Sequence, residues 1–457
     1  MSGAAVGLAL GSRPARADDT AYGSVDELRA RVREAVSESG VPSLATYIAR
    51  GARVLMKPNW VLHRNAGNHG ETSLVTHPRF ILAALHEVLA AGPSQVTIGD
   101  APVQGCDFDR VVTPELRTEV ARLAAAHDVP IEIVDFRRVY TPGGNLAGEV
   151  ESERRPLDRY ALFDLGRDSL LEPISEPGRF RITQYDPDKL ARVHCPGRHQ
   201  FLLCRDAFEA DVIVNLPKLK LHKKAGITGA LKNLVGLNGD KDYLPHHRVG
   251  GAAAGGDCYP GASVPRRLAE LMLDTANRRI GHRRYLVWRT LAQLCWLATP
   301  NRDDGAQLDA SWWGNDTCWR MALDLNRIVC YGRPDGTMAD RPQRTMLTLT
   351  DAIVCGEGDG PLAPEPLAVG AVTFSDCAAA AEVAHAALLR VDDRTLPIIT
   401  QAFGSFRWPL ASGAPRLFRR GEAITPRALS AEAGVTSRPP RGWQGHIELG
   451  ARAVDAR

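Results

Sequence analysis

Lys218, Lys220 and His222 alternate with Leu219 and Leu221, so an extended segment projects all three polar groups to one face. Three cationic or proton-carrying groups on one face repel each other unless an anion or carboxylates sit between them. Gly226 and Gly229 follow, then Lys232-Asn233 on the next turn. A glycine-containing loop entering a helix turns backbone N–H groups toward a phosphate or carboxylate. The spacing is not that of a Walker loop, because G-x-x-x-x-G-K is absent. Residues 215–233 thus read as a strand-to-loop edge that holds an anion, against the plainer reading of a solvated lysine run.

Other candidates fall at the carboxyl ends of short apolar runs, where open α/β sheets bind ligands. Arg53–Met56 delivers Lys57 and Asn59, Gln95–Gly99 delivers Asp100, and Asp211–Asn215 ends on Asn215 itself. Met346–Cys355 contains Asp351 and leads to Glu357 and Asp359 in a glycine loop. Such a set suits a small anionic substrate. Lys57, Lys218, Lys220 and Lys232 would neutralise it, and Asn59, Asn215 and Asn233 would contact it. His222, with Asp100 or Glu357, would move a proton or hold a divalent metal. His246 and His247, in the glycine-rich stretch 245–265, would reach the substrate as that loop closes. Asp316, Arg320 and Asp324 at four-residue spacing share a helix face, a salt-bridge ladder from which Asp316 and Arg320 could also touch substrate. His77, before Pro78, reads as a helix cap. Neither G-x-S-x-G nor G-x-G-x-x-G occurs.

The elements that position these residues alternate as strand, loop, helix and strand, the pattern of an open, mostly parallel doubly wound α/β sheet with inserted β-rich and helical segments. Val6–Leu10 reads as a first strand and Ser24–Ser39 as an amphipathic helix. Thr76–Gly92, Gly226–Leu237, Val264–Ala298, Ser311–Ile328 and Ala378–Leu389 read as further helices, and Leu367–Phe374 as a strand. The organisation is a first α/β part over 1–135, an irregular β-rich insertion over 136–205, and a second α/β part over 206–400. That second part carries the helical insertion 264–330, and a hairpin and tail close the chain over 401–457.

Bulk properties narrow the class. Over 457 residues the net charge is only +3, with 24% charged and 44% hydrophobic residues, so a general nucleic-acid binder is not expected. The nine cysteines include no C-x-x-C pair, which argues against an iron–sulfur cluster or disulfide scaffold and for thiols in a reducing cytoplasm. Met1–Asp19 lacks the basic start and long apolar run of a signal peptide. Tyr285–Ala298 is too short to span a bilayer. With Arg278, Arg279, Arg283 and Arg284 before it, it could lie on a membrane surface, but its leucines and tryptophans at helical spacing read as core. Homo-oligomerisation stays open.

Taken together, the motifs resemble the bacterial and archaeal family of the domain of unknown function 362 (DUF362). They are Val54-Leu-Met-Lys57-Pro-Asn59, Thr76-His77-Pro78, Ile98-Gly-Asp100-Ala-Pro, Asp211 through Lys220 and His222, Thr228-Gly-Ala-Leu-Lys232-Asn233, Gly314-Asn315-Asp316 with Trp319-Arg320, and Asp351 through Pro361. The resemblance implies an α/β enzyme. Some members carry ferredoxin-type segments, which this sequence lacks. The expected function is an enzyme on a small carboxylate- or phosphate-bearing metabolite; the alternatives are a non-catalytic ligand-binding or accessory protein and, third, a flavin or other redox protein.

Overall fold

The computed structural model describes residues 4–141, 152–299, 306–411 and 413–450. Its framework is one eleven-stranded sheet. The strands are β1 (Ala5–Leu10), β2 (Arg53–Pro58), β3 (Gln95–Asp100), β4 (Ile131–Asp135), β5 (Val212–Leu216), β6 (Lys218–His222), β7 (Gly226–Thr228), β8 (Thr345–Glu357), β9 (Glu365–Ser375), β10 (Arg416–Arg419) and β11 (Glu422–Ile424). Their order is β11-β10-β1-β9-β8-β5-β2-β3-β4, with β6 pairing both β8 and β7. The run β8-β5-β2-β3-β4 is wholly parallel. Strand β5, Val-Ile-Val-Asn-Leu, is buried at every position, as a central parallel strand covered on both faces must be.

Helices cover both faces. On one side α1 (Val25–Glu38), α2 (Pro78–Leu89) and α3 (Pro114–His127) bury Leu28, Phe80, Ile81 and Leu116 with Val54, Ile98 and Val214 of the sheet. Helix α1 starts in a capping box between Ser24 and Glu27. Helix α2 has Pro78 in its first turn and is capped by His77, whose Nδ1 accepts from Arg79 N. On the other side lie α4 (Ala230–Asn233), α7 (Cys318–Tyr331) and α8 (Ala378–Leu388), with Leu231, Leu325 and Ala384 in a second core. Between α4 and α7 in the chain come α5 (Val264–Asn277) and α6 (Tyr285–Leu297). Among the described residues, no helix is long and apolar enough to cross a membrane.

Four expectations are corrected. Gly226–Leu237 is not one helix: Gly226–Thr228 pairs with β6 as a strand, and only then do α4 and a 3-10 turn begin. Val264–Ala298 divides into α5 and α6 around Gly281, since the polar run Arg278–Arg284 has no apolar stripe to hold it against a neighbour. The helix expected from Ser311 starts at Cys318, because the Asn315 side chain accepts from the N–H groups of Thr317 and Cys318. Finally, α6 is not core: of its residues only Tyr285 and Ala292 are buried. The β-rich insertion expected over 136–205 supplies small antiparallel pairings, such as Tyr160–Asp164 with Arg198–Cys204; its residues 142–151 and the tail beyond 450 lie outside the described residues.

One buried polar contact ties the first helix side to the sheet. Lys218 Nζ donates to Asp351 Oδ2 at 2.7 Å, to Tyr22 OH and to Val354 O. Asp351 also accepts from Tyr22 OH and from His77 N. Both charged side chains are fully buried. Burial pulls the Lys218 amine below its ordinary value and Asp351 opposes that pull. Removing one partner strands the other charge in the core. Asp351→Ala is expected to lose about 3–5 kcal/mol of stability in urea unfolding, whereas the Lys218→Met/Asp351→Leu double variant regains most of it; a wild-type midpoint for Asp351→Ala would refute the assignment.

Candidate functional site

The strand order reverses direction between β2 and β5, and open α/β sheets place ligands at such a switch point, outside the carboxyl ends. Lys57 and Asn215 are register partners there. Lys57 Nζ donates to Pro58 O at 2.7 Å and faces Asp100 Oδ1 at 2.8 Å, an ion pair without hydrogen-bond alignment. Asp100 Oδ2 accepts from Trp60 N at 2.6 Å. Three asparagines form a chain: Asn59 Nδ2 donates to Asn233 Oδ1, Asn233 Nδ2 to Asn215 Oδ1, and Asn215 Nδ2 to Ala230 O, each at 2.8 Å. This network locks β2, β5 and α4 together, with no amide left to rotate.

Two glycines let the network close. A Cβ on Gly236 would fall 1.9 Å from Asp100 Oδ1 and 2.8 Å from Lys57 Nζ. A Cβ on Gly229 would fall 2.1 Å from Glu382 Oε2, the carboxylate that accepts from Leu231 N at the start of α4 and pairs with His385 Nδ1 at 2.9 Å.

The lysines divide into two groups. Lys57 and Lys218 have carboxylate partners, whereas Lys220 and Lys232 have none among the described residues. Lys220 is fully buried and donates to Asn59 Oδ1 at 3.0 Å and to Leu74 O. Burial first, then the Lys218, Lys232 and Lys57 charges, hold its amine well below the ordinary lysine value. Thr228, opposite Lys220 in the β6–β7 pair, is buried with its hydroxyl unpartnered. Nearby Lys241 donates to Ala101 O at 2.8 Å, and burial draws it down to about 8.

Two histidines beside Lys232 carry opposite tautomers. His222 Nδ1 accepts from Lys224 N and Ala225 N at 3.0 and 3.2 Å, so its proton lies on Nε2. His246 is 2.8 Å from Leu244 O through Nδ1; a carbonyl only accepts, so the Nδ1 proton is there and Nε2 offers a lone pair. Burial, then Lys232 and its cationic neighbours, hold both rings well below the ordinary histidine value, hence neutral at pH 7. In this tautomer His222 has no lone pair to give a divalent metal. Among the described residues, no three His, Cys, Asp or Glu groups converge to hold one. The nine cysteines are free thiols.

Other expected residues stand apart. Gly356 turns toward Lys220, so Glu357 projects to the opposite side of the strand, where it accepts from Arg438 N at 2.8 Å. Asp316 precedes α7 and holds Arg320 and the Trp319 indole, while Asp324 pairs with Arg327 instead of Arg320. His247 bridges to Arg181 and leaves Nδ1 unpartnered. Sequence reading passed over Tyr22, Gly236, Lys241 and His385. Lys241 was hidden in Gly-Asp-Lys-Asp, which looks like a solvated turn; only the alternation of charge with buried neighbours would have marked it.

The loop bearing Lys241 and His246 is held from behind by His194, whose Nε2 donates to Tyr243 O at 3.0 Å. Desolvation pushes His194 down to about 3, against that hydrogen bond. A histidine depressed in the native state takes up its proton more readily unfolded, so its stability contribution is complete above the ordinary value and is lost as pH falls toward 3. Between pH 7 and 5 this amounts to about 2 kcal/mol. Wild type is expected to lose that much more stability than His194→Gln over this interval in urea unfolding, and parallel pH profiles would refute it. For the site rings, nitrogen NMR should show His222 protonated at Nε2 and His246 at Nδ1; like tautomers would contradict the geometry.

The family model for a domain of unknown function, DUF362, matches residues 165–387. A thylakoid-associated protein of Synechocystis sp. is 26% identical over 234 residues, 51% of this chain and 50% of its own length. The chain therefore spans about half the length of this curated relative. A crystal structure of a Thermotoga maritima protein aligns with a TM-score of 0.31 at 8% identity, over 77% of this chain and 55% of its own. The family segment includes Asn215, Lys220, His222, Lys232, Asn233, His246 and Glu382, while Lys57, Asn59 and Asp100 precede it. Through residues 165–387, this chain carries a domain of the DUF362 family.

Proposed function

We propose that the protein is an enzyme that binds a small anionic metabolite, bearing a carboxylate or phosphate, at the switch point and moves a proton on it. The carrying observation is a surplus of amines: Lys220 and Lys232 have no carboxylate partner among the described residues, although Lys57 and Lys218 each do. An entering anion would favour the protonated form of Lys220. The buried, unpartnered hydroxyl of Thr228 adds a free donor on the face of Lys220. A bound oxyanion would satisfy these groups together.

In this reading Lys232 and Lys220 neutralise the ligand and His222 Nε2–H donates to the oxygen that gains charge. His246 Nε2 accepts the proton once the bound anion offsets the cationic neighbours that otherwise keep the ring neutral. Asp100 orients Lys57, and the asparagine chain fixes the floor. Free thiols suit a reducing compartment, which supports a cytoplasmic location.

Inorganic sulfate is a suitable probe, since its charge does not change near neutral pH. Calorimetry is expected to show sulfate binding that weakens about tenfold in Lys232→Ala, on the scale of one charge-assisted hydrogen bond, and is unchanged in Glu357→Gln. Binding should also weaken as pH rises through about 8, because Lys241 then loses its positive charge. No sulfate binding, or equal binding by Lys232→Ala, would overturn the reading. With a substrate found by mass spectrometry of co-purifying metabolites, binding without turnover would favour the accessory role.

A further inference from the structure

Helices α5 and α6 pack on each other as a hairpin, and both keep an apolar face outside. On α6, the inward stripe runs through Tyr285, Trp288, Ala292 and Trp296, yet Leu286, Val287, Leu294 and Leu297 on the outer stripe are each more than half exposed. Val264, Leu268 and Leu271 of α5 are exposed as well, Val264 to 82%. A soluble surface helix has mostly polar residues on its outer face; here four large apolar side chains share it with only Thr290 and Gln293. Exposed apolar area spread over two adjacent helices marks an interaction surface.

Charge indicates what covers it. Residues 275–299 include five arginines (278, 279, 283, 284 and 289) and no Asp or Glu. The carboxylates of α5 turn inward, where Glu270 accepts from Gly250 N and Asp274 binds Arg181. Arg283 and Arg284 are exposed at the hairpin turn. Arg278 is already paired with Asp188, and a second copy of the turn would set Arg283 and Arg284 against like charges. Arg279 lies over the Trp288 ring and Arg266 over Trp296 on the inward stripe, contacts that hold the two helices together and leave the leucine stripe outside. Helix α6, 13 residues long, is about 20 Å end to end, too short to span but long enough to lie along a surface.

We propose that the α5–α6 hairpin docks on an anionic lipid bilayer, with the outer leucines and Val287 among the acyl chains and the turn arginines on the headgroups. Glu270 and Asp274 connect the docked hairpin to the loop that carries His246 and His247.

The test is flotation of the full chain with vesicles of phosphatidylcholine alone or with one third phosphatidylglycerol. Wild type is expected to float with the anionic vesicles and remain at the bottom with neutral ones. Leu286→Glu/Leu294→Glu and Arg283→Glu/Arg284→Glu should each reduce the bound fraction about tenfold or more, with unchanged circular dichroism. Added salt should release the wild type. Failure of wild type to float, or flotation of the leucine variant at the wild-type level, overturns the proposal. So does a wild-type dimer that the leucine variant converts to monomer without any vesicle binding. Because sulfate binding at the switch point is measured without lipid, failure here leaves the proposed function standing, and the reverse holds too.

Discussion

The structure depends on how lysine ammonium groups are kept inside a protein. Removing such a charge from water costs several kcal/mol, even after relaxation, so each buried ammonium must find oxygen. The sheet meets that demand by topology. Parallel strands end together, and their ends deliver Asp100 to Lys57 across β3 and β2, while the return of β8 beside β6 brings Asp351 to Lys218. Had β6 lain elsewhere in the order, Lys218 and Asp351 would have been unpaired charges in a core.

The neutralised pairs are the frame, and the unneutralised groups are held by it. Lys57 and Asp100 sit under Gly236, the asparagine chain crosses from β2 to α4, and Glu382 secures the first turn of α4 from α8. The loop over these groups is fastened at several points: Tyr243 O to His194, Gly250 N to Glu270, and His246 O to Asn315. Asn315 therefore joins the start of α7 to the site, which links two motifs that are 69 residues apart in the chain.

Much of this was legible in the sequence where one physical rule dominated. Short apolar runs ending in polar residues marked β2, β3, β5 and β8, and the alternation over 218–222 is that of a strand. The rest failed where a residue's environment comes from distant chain. Nothing local tells Lys218, enclosed by Tyr22 and Asp351, from Lys220, which meets only neutral oxygens. Gly226–Thr228 carries helix-like glycine punctuation but is claimed by β6. Helix α6 misled because leucine and tryptophan spacing reports amphipathicity and not which side is covered. The same stripe is core when a sheet lies over it and a bare surface when only α5 does.

The opposite tautomers of His222 and His246 have a consequence for chemical selectivity. One ring presents only hydrogen and the other only a lone pair. Because burial, and after it the neighbouring lysines, keep both rings neutral, neither can reverse its role cheaply before an anion binds. A ligand that bridged them, as the proposed function has it, would need to be complementary in polarity, accepting at one end and donating at the other. A hydroxy acid or a singly protonated oxyanion engages both rings, whereas sulfate, held by the lysines of the proposed site, engages His222 alone. The pair would thus discriminate between protonation states of a molecule and not merely between charged and uncharged ones.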